Sequence, residues 1–538
     1  MGVSRVMGAE TEYGVISPDR PQSNPTLLSA QVVNTYDILF HQQLSAERST
    51  HGSAEWEYDS ESPLHDSFGQ VMSESEAHPS QLTHQQNVLT SEHIAAEALR
   101  ESGMYAERLN WDAVTMNSVL PNGARLYVDH AHPEYSSPEV NSPQEAVLWD
   151  AAGDYVAAQT VAHIAEHAVE LDVPMINLYK NNTDSKGQSY GSHENYLLSR
   201  ETPFTDVVRG LLPFFATRSI MIGAGRVGIG VTGEVPGFQI SQRADFFERE
   251  VGLETTLRRP LVNTRDEPHA DHERYRRLHV IPGDANFSHF SNLLKFGTAS
   301  LVLHLIEQGS CPEISLADPV MAMHRVSHDL SLSEELPLSD GGTMTALEIQ
   351  WAYLRAAQDS EKNPDANTLQ VLSLWEETLD ALENDLFSLA DRLDWVAKYQ
   401  LFSQYVAKGL SWDHPKLAAL DLQYADVRPE KGLYHKLVQL GRMKTLFSEE
   451  QIADAAAHPP RSTRAYLRGK MVQRWPQSLL SISWDTIVCR DPLETQVLKL
   501  IMPEPLGMNV QQVHDLLEKS KHAADVVFAL NPHQNYTP

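Results

Sequence analysis

The sequence predicts an α+β protein. An antiparallel sheet is built in the first half, helices dominate after about residue 290, and a small α+β unit closes the chain. Several short segments alternate ionisable and apolar residues with the period of two that a strand requires. From about Ser291 the apolar residues recur instead at three- and four-residue spacing. Pro459-Pro460 then breaks the chain ahead of a mixed tail. The 538 residues allow one large domain with an appendage. We expect the boundary between 1–457 and 458–538.

Val3–Val15 is the first expected strand, with Glu10 and Glu12 on one face and Met7, Ala9 and Tyr13 on the other. Two adjacent carboxylates repel unless a cation or hydrogen-bond donors lie between them. Residues 46–109 read as an insertion, acidic and aromatic over Trp56–Gly69 and polar over Gln70–Asn87; only Ser91–Ser102 looks helical. Asn122–Glu139 is the densest stretch. Arg125, Tyr127 and Asp129 share one face, Leu126 and Val128 the other, and His130, His132 and Glu134 follow at once. Burying such a front unpaired is costly, so it must look onto water, a ligand or a metal.

Ser142–Leu171 opens with an N-cap serine, a proline at N1 and a glutamate at N3, which marks a scaffold helix. Three more strands repeat the polar front. They are Gly191–Ser199 (His193, Asn195), Gly237–Phe246 (Gln239, Ser241, Arg243) and Tyr275–Ile281 (Arg277, His279). Five such strands imply a curved, mostly antiparallel sheet with a concave face of acids, imidazoles and guanidiniums. That mix suits divalent cations and a phosphate-bearing nucleotide. Helices are expected over Ser291–Glu307, Thr345–Gln358, Asn367–Leu386, Ser388–Ala407, Thr463–Trp475 and Val510–Ala529. The basic residues Arg464, Arg468, Lys470 and Arg474 read as an exposed helix face, with a contact for an acidic partner or phosphate as the alternative.

The remaining features mostly exclude. A net charge of −30, from 42 basic and 72 acidic residues, argues against nucleic acid and anionic membranes as partners. Cys311 and Cys489 alone make no disulfide framework and suit a reducing cytoplasm; no signal peptide or membrane span is expected. Gly223–Gly228 matches G-x-G-x-x-G, but loop-forming glycines follow where a helix should begin. Gly187–Gly191 matches G-x-S-x-G without the apolar strand and helix that motif needs.

With these residues set out, the chain resembles the Pup ligase/deamidase family of glutamine-synthetase-like carboxylate–amine ligases. The matching segments are Gly8–Gly14, Asn122–Glu139, Asn181–Leu197, Gly237–Phe246, Asn263–Asn286, Asp421–Tyr434 and Ser462–Lys470. Asn24–Ser29 and the insertion around Trp56–Gly69 resemble the deamidase/depupylase branch rather than the ligases. The resemblance implies a glutamine-synthetase-like antiparallel cradle backed by helices, with a small C-terminal α+β domain. It implies ATP (or ADP plus phosphate) held with Mg2+ and not consumed per turnover. Glu10, Tyr127, Glu134, His193 and His279 match metal positions. Gly8, Ala9, Glu10, Thr11, Glu12, Ser136, Ser137, Pro138, Glu139, Asn195 and Arg277 match nucleotide positions. Asp129 matches the catalytic aspartate, and we add Arg243 as a phosphate- or carbonyl-orienting group.

The implied reaction is hydrolysis of a side-chain amide. The bond is either the C-terminal glutamine carboxamide of Pup or the isopeptide between Pup's terminal glutamate and a lysine. Asp129 acts as nucleophile or, if phosphate attacks, as general base. The alternatives are a Pup ligase that consumes ATP and a non-catalytic Pup-binding protein. Pup and pupylated proteins are the expected partners, and a monomer is compatible with the sequence.

Overall fold

A computed structural model describes residues 2–44, 54–57, 62–73, 75, 77, 116–184, 186–491 and 496–531, without the side chains of 40–44. Six strands form its central sheet: β1 (Met7–Glu12), β2 (Asn117–Val119), β3 (Arg125–Asp129), β4 (His132–Ser136), β5 (Ser192–Ser199) and β6 (Tyr275–Val280). Their order is β6-β5-β1-β4-β3-β2, and every neighbouring pair is antiparallel. The register sets Glu10 beside both Ser136 and His193, Glu12 beside Glu134, Tyr127 beside Glu134, and His279 beside Asn195. Because strand side chains alternate, these residues share one face.

The opposite face is apolar and packs on helices. Met7, Ala9, Leu126, Val128, Tyr135, Tyr196, Leu198, Leu278 and Val280 join one large core with Pro143–Leu171, Phe204–Thr217 and His289–Glu307. The expected caps hold: Ser142 Oγ accepts from Glu145 N (3.2 Å), with Pro143 at the first helical position. Gly153 of this helix lies against the Tyr135 ring, where a Cβ would collide. Asn24-Pro25 uses the same cap chemistry, Asn24 Oδ1 accepting from Thr26 N (2.9 Å), to start a helix over Pro25–Leu44 that our reading passed over.

Several expectations need correction. Gly237–Phe246 is not a fifth cradle strand. Val235–Gln239 pairs with Arg226–Ile229 in a separate hairpin, and a short 3-10 turn, Ala244–Phe246, follows. Ser241 Oγ accepts from Arg243 N (3.1 Å) and Ala244 N (3.2 Å), a local bond that ends the extended run. Ser388–Ala407 is two elements, a 3-10 turn over Leu386–Asp391 and a helix over Asp394–Val406. The break turns Asp394 toward Asn286 Nδ2 (3.0 Å) and Tyr424 Oη (2.8 Å). Val510–Ala529 also divides, at Ser520–His522, where Asp525 Oδ2 accepts from the backbone of Lys521 and His522 (both 2.9 Å). Neither decoy motif opens a helix: residues 223–225 precede strand Arg226–Ile229, which takes in the rest of the first motif, and Ser189 lies just before β5. No described helix is long and apolar enough to cross a membrane.

A second core gathers residues of Tyr466–Val527 together with Trp56 and Val119. Its sheet runs Val497–Ile501, Thr486–Arg490, Leu479–Ile482, Glu55–Trp56, so part of the insertion pairs with the C-terminal segment. Residues 62–73 lie against the main core, with Ser67 N donating to Thr264 O (2.7 Å) and Phe68 edge-on to Phe204. Ser91–Ser102 and the remainder of 78–115 fall outside the described residues. Arg464 and Arg468, expected on an exposed face, are buried. Both grip Glu139, Arg464 Nε to Oε1 (2.9 Å) and Arg468 through Nη1 (3.1 Å) and Nη2. Arg468 also reaches Gly123 O (3.0 Å) and Trp484 O (2.8 Å), tying the two cores together.

Burial would raise the Glu139 carboxyl, but Arg468 and Arg464 outweigh it and hold it below its ordinary value of 4.5. A carboxyl lowered by folding adds stability above that value, and the contribution is lost as pH falls through the depressed one. Arg468→Met should therefore destabilise by about 3–5 kcal/mol at neutral pH. Glu139→Gln should lower the urea midpoint at pH 7 and much less at pH 3. Equal penalties at both pH values would refute the ion-pair account.

Candidate active site

The site follows from the register of β1 with its neighbours. Toward β5 and β6, Glu10 meets His193 and His279, and the three offer ligand atoms within 4.8 Å of one another. Glu10 Oε2 lies 3.4 Å from His193 Nδ1, and Oε1 accepts from Asn195 Nδ2 (3.0 Å). Arg277 Nη1 donates to Asn195 Oδ1 (2.8 Å) and approaches Glu10 Oε1 (3.4 Å). Burial would raise the Glu10 carboxyl, yet His193, His279 and Arg277 pull it well below the carboxylate range. Burial pushes His279 down, so its imidazole is neutral and can ligate.

Toward β4 and β3, Glu12, Asp129 and Glu134 form a second group, again within 4.8 Å. Burial, then Asp129, Glu10 and Glu12, drive the Glu134 carboxyl well above its usual value. Tyr127 Oη donates to Glu134 Oε1 (2.6 Å). Asp129 is less enclosed. Burial would raise its carboxyl, but His130, His132 and His193 hold it below the ordinary range. His130 Nδ1 sits 3.0 Å from Asp129 Oδ2, and Asp129 lifts that imidazole to about 9. His130 occupies the turn between β3 and β4 with φ 53°, a left-handed conformation unusual for a side chain of its size.

The donor set fits divalent cations. Carboxylates this crowded in a buried face are unfavourable without counter-charge. The all-oxygen group Glu12, Asp129 and Glu134 suits Mg2+, and the Glu10, His193 and His279 group offers mixed oxygen and nitrogen ligands. Tyr127, expected among the metal residues, has its hydroxyl hydrogen-bonded to Glu134.

Beyond Glu10 a pocket opens over the start of β1. Its lining includes Gly8, Ala9, Ser136, Ser137, Glu139, Asn195 and Arg277, which the resemblance assigns to a nucleotide. His269, Arg464, Trp484 and Pro505 also line it and were not among the expected site residues. Arg464 lay in the noted basic cluster, whereas nothing local marks Trp484. Arg277 Nε is buried without a hydrogen-bond partner among the described residues, while Nη1 and Nη2 contact Glu10 and Glu267.

Four expected site residues sit elsewhere. Thr11 turns to the back of the sheet and donates to Asp150 Oδ1 (3.2 Å), because it alternates with Glu10 and Glu12. Pro138 is not among the pocket's lining residues, and Glu12 belongs with Asp129. Arg243 is buried off the sheet, its Nη1 committed to Ile281 O (2.6 Å) and Gly283 O (3.2 Å). Burial lowers it to about 9.

An antiparallel cradle, acidic at one end and open to a pocket at the other, defines a glutamine-synthetase-like protein of the carboxylate–amine ligase type. The chain belongs to the Pup-ligase protein family, whose family model matches residues 5–488. It is 45% identical over 536 residues to the depupylase of Acidothermus cellulolyticus, covering 98% of this chain and 99% of that one. It is 44% identical over 533 residues to the Pup deamidase/depupylase of Mycolicibacterium smegmatis, covering 98% and 99%. The Pup ligase PafA in complex with ADP superposes with a TM-score of 0.69 at 32% identity, covering 88% of this chain and 98% of that one.

Tyr127→Phe and Glu134→Gln separate support from ligation. Titrated with Mg2+ by calorimetry, Tyr127→Phe should weaken binding by no more than about tenfold, the worth of one hydrogen bond. Glu134→Gln should weaken it far more. Equal losses would make the phenol a direct ligand.

Proposed function

We propose that the chain hydrolyses the side-chain amide of Pup's C-terminal residue. It releases ammonia from terminal glutamine, or the lysine of a target protein from terminal glutamate. The observation that carries the reading is Asp129, an ionised and partly exposed carboxylate at the acidic end of the cradle, with His130 against it. Kinship over 98% of the chain with proteins named for depupylation and deamidation supports the same reaction. The ADP-bound relative and the unpaired Arg277 Nε support a nucleotide in the pocket beside Glu10.

In this reading His130 keeps Asp129 anionic and oriented. Asp129 attacks the δ-carbonyl carbon; the carbon–nitrogen bond breaks as the amine takes up a proton, and water opens the resulting anhydride. Glu10, His193 and His279, with Glu12 and Glu134, would hold Mg2+, which when bound neutralises the carboxylates and polarises the carbonyl. Arg243 braces the Ile281–Gly283 turn after β6 rather than touching substrate. The division at 457/458 makes the first part catalytic, with the second supplying Arg464 and Trp484 to the pocket. Cys311 and Cys489, both unpaired, support a cytoplasmic setting.

Asp129→Asn should reduce release of ammonia or lysine by at least about 10³-fold while leaving folding intact. The assay is purified protein with Pup ending in glutamine, or a pupylated substrate, with and without ATP and Mg2+. Near-normal turnover by the variant would reject the assignment. ADP released in step with amide formation would identify a ligase instead.

A further inference from the structure

Arg259 stands at the Asp129 end of the cradle and has no part in the chemistry above. It begins strand Arg259–Asn263, which runs parallel to Phe247–Gly252. Its Nη2 donates to Ser189 O (2.6 Å), and Arg243 Nε reaches Ser189 Oγ (3.3 Å), so two guanidiniums converge on one residue. The next two residues press on the acidic cluster. Tyr190 stacks on His132, with ring centres 4.3 Å apart. Gly191 O accepts from Glu12 N (3.1 Å), and a Cβ on Gly191 would lie 2.8 Å from Glu12 Oε1. Glu12 and His130 both feel the charge of Arg259.

The Arg259 side chain is tethered but not satisfied. Its Nε is buried and has no hydrogen-bond partner among the described residues. A guanidinium held by one arm, with another donor unused, is prepared for a planar oxyanion. Arg243 is no competitor, since its Nη1 is committed to two carbonyls. Arg277 serves the opposite end, where it contacts Glu10 and Glu267.

Both substrates of the proposed reaction share one further group. The attacked carbonyl belongs to the last residue of Pup, so that same residue carries a free α-carboxylate a few bonds away. We propose that Arg259 binds this α-carboxylate and thereby selects a C-terminal glutamine or glutamate side chain over an internal one. The inference rests on the hydrolase reading above. A nucleotide phosphate would offer similar oxygen acceptors, but the pocket lies beyond Glu10 and is not lined by Arg259.

The test uses Pup joined through its terminal glutamate side chain to a lysine peptide, with the α-carboxylate either free or capped as a primary amide. Release of the lysine peptide is followed with ATP and Mg2+ present. For the unaltered protein, capping should lower kcat/KM by roughly 100-fold, mostly through KM, because a site built for a charged acceptor rejects its neutral analogue. Arg259→Met should lose a similar factor on the free acid and change the capped substrate by less than about threefold. Arg259→Lys should fall between. An unchanged preference in Arg259→Met, or an equal loss on both substrates, would overturn the assignment. So would weakened ATP binding with the preference intact, which would give the guanidinium to phosphate. If the unaltered protein released no lysine peptide from either substrate, the hydrolase reading would fail first and this inference with it.

Discussion

Four carboxylates on one face of one sheet are the constraint to which the rest of this molecule answers. Glu10, Glu12, Asp129 and Glu134 come from three adjacent strands and are brought together by their register. Their mutual repulsion in a partly dry bowl works against the fold. The sheet tolerates it because its back face carries the main core, and because neutralising groups are interleaved with the acids. Asn195, Arg277 and His193 answer Glu10, His130 answers Asp129, and Tyr127 answers Glu134. Even so, burial and the neighbouring Asp129, Glu10 and Glu12 carboxylates push the Glu134 carboxyl well above its usual range.

The back of β1 bears the mechanical side of the same problem. Thr11 bonds Asp150, which with Asp154 holds the buried Lys180 ammonium at 2.8 Å from each carboxylate. Tyr13 donates to Asp154 (2.9 Å). The strand that displays Glu10 and Glu12 is thus fastened from behind to helix Pro143–Leu171. A like-charge pair cannot relax by tilting the strand without breaking that buried network, and opening such a network leaves charges unpaired.

What could be read from sequence follows from how local each signal was. Alternation with a period of two is a property of a few consecutive residues, so β1, β3, β5 and β6 and their polar fronts were visible, and with them Glu10, Asp129, His193 and His279. The same rule misled at Gly237–Phe246, where Ser241 bonds its own backbone and ends the strand. Thr11 entered through the resemblance over Gly8–Glu12, not through alternation, and its side chain points the other way. Helix breaks at Arg392–Leu393 and Ser520–His522 depend on distant or capping partners, and spacing alone cannot reveal them. The far wall of the pocket was hidden for a related reason. Trp484, His269 and Pro505 are brought to β1 by the packing of the two cores, over hundreds of residues of chain.

The two ends of the cradle also bear on how a fold shared with Pup ligases can serve a reaction that needs no driving force. Amide hydrolysis in water is downhill, so a nucleotide in the proposed site has no energetic task. Crowded carboxylates at the acidic end and the Arg277 guanidinium at the pocket end give it a structural one. A metal ion held by Glu10, Glu12 and Glu134 would cancel the repulsion among them and still leave Asp129 partly exposed beside His130. Asp129 is the most exposed of the four, its side chain 25% accessible against 19% for Glu10 and 11% for Glu12, with Glu134 buried, and it adjoins the His130 turn. The chemistry of the proposed hydrolase then depends less on the nucleotide than on which carboxylate the register leaves outside the cluster's centre.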